Sequence, residues 1–140
     1  MKLLRRLLLG LVLIVTLAVV GLVGWATVGA QPATQRAVDT LAANDVVRED
    51  GLLVFRPNSP TTAALIYYPG GLVEPEAYAV TAQGIADAGY LVILPKMPLN
   101  LAVTDANRAE SIVAAFPEIE SWVIGGHSLG GSMAAEYAKN

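Results

Sequence analysis

Hydrophobic positions in this chain fall into one long block followed by a series of short ones, and the two spacings predict different things. From Leu7 to Val28 no charged residue occurs, and leucine, valine, glycine and alanine occupy every face. A helix that is apolar all round has no polar stripe to turn toward water, and about 20 such residues cross the hydrocarbon core of a bilayer. The block predicts one transmembrane helix over 7–28, behind a basic stub over 1–6. Residues 29–44 read as a linker, with Gln31-Pro32-Ala33-Thr34-Gln35 as its polar exit and Ala37–Ala43 as a short helix.

The short blocks begin at residue 45. Asp45-Val46-Val47-Arg48 and Leu52-Leu53-Val54-Phe55-Arg56 flank Glu49-Asp50-Gly51, and two apolar runs around Asp-Gly predict a β-hairpin. Ala63–Tyr68 and Tyr90–Leu94 are nearly all apolar, as strands covered on both faces are. They halt at Pro69-Gly70-Gly71 and at Pro95. Between them Tyr78, Ala82 and Ile85 make the apolar face of a helix that starts around Glu74-Pro75-Glu76 and ends at Gly89. Thr104 is expected to cap a further helix, with Ala106, Ala109, Val113 and Phe116 on its buried face and Pro117 at its end. Apolar strands alternating with helices predict an α/β fold, with a mostly parallel sheet and helices on both faces.

The last strand, Trp122-Val123-Ile124, runs into Gly125-Gly126-His127-Ser128-Leu129-Gly130-Gly131, and helix formers follow from Met133 to Ala138. A Gly/Ser surface loop can carry the same G-x-S-x-G letters. The strand-turn-helix setting favours a nucleophile elbow, in which a serine sits on a strained turn and its hydroxyl projects from the sheet. Ser128 is then the nucleophile. Gly126 and Gly130 are the elbow glycines, small enough to let backbones pass closely. The Leu129 N–H points at the oxygen of a substrate carbonyl, aided by the positive end of the helix it begins.

Composition alters this picture in three ways. The hydrophobic fraction of 54% and mean hydropathy of +0.53 owe much to the N-terminal block. Lys2, Arg5 and Arg6 precede that block, so the N-terminus is expected in the cytoplasm and the rest outside it. Val28-Gly29-Ala30 also offers the small residues that a signal peptidase reads, so the alternative is a protein secreted after cleavage; the length of the block favours an uncleaved anchor. Beyond residue 6, six basic residues face twelve acidic ones, a net charge of about −6 that speaks against nucleic acid as a partner. Cysteine is absent, which removes disulfides and thiolate chemistry. No lysine follows Gly130-Gly131 as a P-loop requires. No cofactor or metal is expected, and oligomeric state stays open.

The element order, together with Gly126-His127-Ser128-Leu129-Gly130, resembles the first half of the α/β-hydrolase fold. Tyr67-Tyr68-Pro69-Gly70-Gly71, Lys96-Met97-Pro98-Leu99-Asn100-Leu101-Ala102 and the run from Gly125 through Ala135 look like its dienelactone-hydrolase-like bacterial branch. That resemblance implies a second oxyanion donor on the loop after Tyr68, the N–H of Gly71 or Leu72. It also implies a triad in chain order Ser, then Asp or Glu, then His. Only twelve residues follow Ser128, and the only histidine is His127, whose ring should diverge from the serine beside it. Asp105, Glu110 and Glu136 read as solvated charges on helices. Lys96 follows a strand at the sheet edge where ligands bind, though a loop lysine is usually just solvated.

Residues 45–140 are therefore expected to be an incomplete α/β-hydrolase domain ending after the elbow, inactive by itself and exposing an apolar edge. The expected function is a membrane-anchored serine hydrolase of ester-like small-molecule substrates, acting through an acyl-enzyme at Ser128. Acyl transfer to an alcohol uses the same site. A non-catalytic membrane-anchored binding or structural protein is the alternative, favoured by the missing base.

Overall fold

A computed structural model of the chain describes residues 2–139. Helix α1 (Lys2–Val28) takes up the apolar block and is long and apolar enough to cross a membrane, with a mean hydropathy of 2.9. Its two threonines bond within the helix: the Thr16 and Thr27 hydroxyls donate to the Val12 and Val23 carbonyls, each at 2.8 Å. Such back-bonding leaves no hydroxyl unpaired on an apolar surface.

The remaining chain builds a five-stranded mixed sheet: β1 (Val47–Glu49), β2 (Leu52–Phe55), β3 (Ala63–Tyr68), β4 (Leu91–Pro95) and β5 (Ser121–Gly126), in the order β1-β2-β4-β3-β5. The expected hairpin is β1–β2, paired from Val47↔Val54 to Glu49↔Leu52. Its turn holds Asp50 at φ 49° and Gly51 at φ 74°, the two consecutive left-handed residues that match the twist of a two-residue hairpin. β2 runs antiparallel to β4, whereas β3 is parallel to both β4 and β5. All five residues of β4 are buried, because it has strands on both sides and helices on both faces.

Two helical layers cover the sheet. On one face α2 (Gln35–Ala43) and α3 (Ala79–Asp87) bring Ala37, Ala79, Ala82 and Ala86 onto Phe55, Val92 and Leu94. On the other, α4 (Arg108–Ala115) and α5 (Leu129–Tyr137) bring Ala109, Ile112 and Ala134 onto Ile66, Tyr68 and Ile93. Alanines at the helix positions allow close approach to the larger strand side chains.

Local differences from expectation lie at helix ends. The helix expected from Glu74 opens as a 3-10 turn, Pro75–Tyr78, and becomes α-helical only at Ala79. Thr104 does not cap α4. Its hydroxyl donates to the carbonyls of Pro98 (2.9 Å) and Leu101 (2.6 Å), within a 3-10 turn at Ala102–Asp105, and α4 begins at Arg108 behind Asn107. A threonine with acceptors this close in its own turn has no reason to reach forward to a helix start.

The segment after α1 is held against the domain. The Gln31 N–H donates to the Leu72 carbonyl (2.6 Å) and the Gln31 carbonyl accepts from the Glu74 N–H (3.0 Å). Thr34 caps α2 by accepting from the Ala37 N–H at 3.3 Å, and α2 packs on α3. β5 forms the outer edge of the sheet, with Val123 62% exposed.

Candidate active site

Ser128 occupies the junction between β5 and α5 at φ 50°, ψ −121°. A side-chain-bearing residue held at positive φ costs about 1–3 kcal/mol and persists only where its surroundings enforce it. Here the enforcement is backbone against backbone. A Cβ at Gly126 would lie 2.6 Å from the Tyr68 carbonyl oxygen and from the Gly130 carbonyl carbon; one at Gly130 would collide with the carbonyls of Tyr68 and Pro69. The first turn of α5 therefore seats directly on the end of β3. The His127 N–H extends the β3–β5 ladder by donating to the Tyr68 carbonyl (3.1 Å), and the Gly130 N–H closes the turn onto the His127 carbonyl (2.9 Å). Between those bonds Ser128 is exposed.

Leu129 is the first residue of α5, and the first N–H groups of a helix have no intrahelical acceptor. Gly71 lies against it: a Cβ at Gly71 would be 3.3 Å from Leu129 Cδ2. The two N–H groups expected after β3 differ in state. The Leu72 N–H donates to the Asn100 carbonyl at 2.7 Å, whereas the Gly71 N–H has no acceptor among the described residues.

His127 is turned toward the β3 loop. Its Nδ1 lies 3.1 Å from the Tyr78 hydroxyl, and that hydroxyl accepts from the Gly70 N–H at 3.0 Å. With its oxygen accepting from Gly70, the phenol has its one hydrogen free to donate to Nδ1 of a neutral ring. The Tyr67 ring tilts onto Tyr78 with centroids 5.2 Å apart. Burial, followed by the neighbouring Tyr78, pushes the Tyr67 hydroxyl pKa up. Among the described residues His127 makes no hydrogen bond to the Ser128 side chain.

Tyr68 supports the elbow from below. Its hydroxyl donates to the Ala106 carbonyl (3.0 Å) and accepts from the Ala109 N–H (2.8 Å), which ties the start of α4 to β3. The ring is fully buried, and that burial is the main reason its pKa is pushed up to about 12. Lys96 is elsewhere. It lines a cavity of about 190 Å³ with Arg48, Asp50, Pro75 and Glu76, and Ser128 is not part of that lining. Glu110 is exposed on α4, and Glu136 pairs with Lys139 at 3.6 Å. Tyr78 and Asn100 had no sequence signal beyond their places in a helix face and a loop, since each acts through contacts distant in the chain.

A mixed sheet flanked by helices, with a serine on a strained strand-to-helix turn, places the molecule among α/β proteins with an exposed serine at the carboxyl edge of the sheet. The model of the alpha/beta hydrolase family matches residues 64–140, and the chain belongs to that family. Its fold is similar to the crystal structure of a candidate thioesterase from Silicibacter sp. tm1040, at 20% identity and a TM-score of 0.54. That likeness covers 71% of this chain and 45% of the other, so the chain spans less than half of that neighbour's length. No curated protein matches the sequence.

Proposed function

We propose that the chain carries the nucleophile of a serine hydrolase acting on ester-like carbonyls. The observation that carries this reading is the backbone of Ser128, held at φ 50°, ψ −121° by glycines that leave no room for a side chain. In the proposed reaction the Ser128 hydroxyl loses its proton to a base as its oxygen bonds to the carbonyl carbon. The carbonyl π electrons move onto the oxygen, which the N–H groups of Leu129 and Gly71 receive. Collapse of that intermediate breaks the bond from the carbonyl carbon to the leaving oxygen or sulfur, which departs as the alcohol or thiol with the proton returned by the base. It leaves an acyl-enzyme that water hydrolyses to the acid and free Ser128. Gly71 is preferred to Leu72 as second donor because the Leu72 N–H already has an acceptor.

We do not assign the base to His127, whose ring is turned toward Tyr78 and makes no hydrogen bond to the Ser128 side chain among the described residues. In this reading the histidine and its acid are supplied by sequence beyond residue 140. Two features support it: the 45% coverage of the structural neighbour and the edge position of β5. The same lack of a base is what favours the second reading, a non-catalytic protein on a hydrolase fold. Labelling the complete gene product with a serine-directed fluorophosphonate separates them. Labelling that disappears in Ser128→Ala is expected; labelling unchanged by that substitution rules Ser128 out as the nucleophile.

We further propose that α1 stays on the protein as an anchor, with the basic stub cytoplasmic and the domain on the opposite side. The candidate cleavage residues Val28-Gly29-Ala30 lie between buried Ala26 and the paired Gln31, both held by the domain. Mass spectrometry of the membrane-extracted protein is expected to find residues 2–28 intact, and a mature form starting near Gln31 would overturn the anchor.

A further inference from the structure

The loops that follow β3, β4 and β5 gather at one edge of the sheet, and the end of α1 returns to that same edge. Ala26, in the last turn of α1, is fully buried and packs against the turn at Pro98–Asn100 that follows β4. Asn100 is the joint. Its Nδ2 donates to the Ala26 carbonyl at 3.3 Å, and its main-chain carbonyl accepts from the Leu72 N–H at 2.7 Å. Leu99 and Asn100 hold φ 54° and 53° in making that turn. Leu72 is in turn bonded to Gln31, just past the helix end. The last turn of α1, the β4 loop and the β3 loop thus form one hydrogen-bonded unit. Gly71 in that unit lies against Leu129, the residue after Ser128.

As a helix, the stretch Leu7–Val28 is about 33 Å long, close to the roughly 30 Å thickness of a bilayer's hydrocarbon core. Its final turn therefore lies at a lipid–water boundary. Trp25, 57% exposed in that turn, is the residue type favoured there. Whatever packs on Ala26 lies at the same boundary. The side chains around the β3 and β4 loops are apolar and at least partly accessible: Leu72, Leu99, Leu101 and Val103, the last 58% exposed.

We propose that the Ser128 site opens onto this boundary and takes ester-like substrates whose long hydrocarbon chain is held in the adjoining leaflet. The proposal rests on the reading of Ser128 as nucleophile. A chain that remains among lipid tails while its carbonyl reaches the headgroup layer needs no transfer into bulk water. Short soluble esters gain nothing from that placement.

Residues 1–140 hold no cysteine, so once any cysteine beyond residue 140 is replaced by serine, a single introduced thiol is a unique label. In the complete gene product reconstituted into phosphatidylcholine vesicles with nitroxide-bearing lipid, a fluorophore on Val103→Cys is expected to be quenched several-fold more than one on Ser59→Cys. Ser59 lies in the β2–β3 turn, at the opposite end of the sheet. In the same vesicles a long-alkyl fluorophosphonate should label Ser128 at least tenfold faster than a short one. Equal quenching at the two positions overturns the boundary placement whatever Ser128 does. Equal labelling rates overturn the lipid-chain substrate. Absence of labelling by both probes, with the quenching difference intact, overturns the serine-hydrolase reading and the substrate class with it.

Discussion

Ser128 and its two glycines set an opposition between stability and chemistry that single substitutions can expose. Ser128→Gly removes the positive-φ penalty and should raise unfolding stability by about 1 kcal/mol, the low end of the cost for such a residue, while eliminating the proposed nucleophile. Gly130→Ala should act in the other direction. Its methyl group meets main-chain carbonyls that cannot rotate away, so a loss of about 2 kcal/mol or more is expected in denaturant titrations. Tyr68 gives a pH signature. Burial raises its pKa to about 12 from an ordinary 10, so between those values the unfolded chain loses a proton that the folded one keeps. Stability from this group is full below pH 10 and is lost as pH rises toward 12. Tyr68→Phe should flatten that decline, at a cost of about 1–3 kcal/mol for leaving the Ala109 N–H and Ala106 carbonyl without their partner.

At the scale of elements, the loop after β3 depends on a residue outside it. Tyr78→Phe leaves the Gly70 N–H and His127 Nδ1 without the hydroxyl between them. If Gly71 serves as an oxyanion donor, the variant should slow fluorophosphonate labelling of Ser128 by roughly tenfold while circular dichroism stays unchanged. The elements themselves were legible in the sequence wherever the signal is local. Asp50-Gly51 announces the hairpin, the apolar runs announce β3 and β4, and G-x-S-x-G in its strand-turn-helix setting announces the elbow. Less was legible where partners are distant in the chain. Thr104 looks like a helix cap until Pro98 and Leu101 are folded beside it. Tyr78 reads as one more apolar position, and no spacing rule relates it to His127, 49 residues on. Leu72 and Gly71 are equivalent as letters. Only the carbonyl of Asn100, which comes from another loop, separates them.

At the scale of the whole molecule, two surfaces shape behaviour in solution. The β5 edge carries unpaired main-chain groups with Val123 exposed, a template for pairing with a second chain. In detergent, Val123→Lys is expected to reduce sedimenting aggregate several-fold in residues 1–140, and no change would assign aggregation to α1 instead. The other surface is the seat of α1 on the β3 and β4 loops, and its consequence is mechanical. A globule tied to a bilayer by a slack peptide tumbles almost freely, sampling many heights and tilts. One whose membrane helix is bolted into its own loops becomes a mast and vane that turn together about the membrane normal at a fixed elevation. With α1 as the proposed anchor, the domain's reach extends no farther than the lipids around its foot, and adding a few flexible residues between Val28 and Gln31 would turn the mast back into a leash.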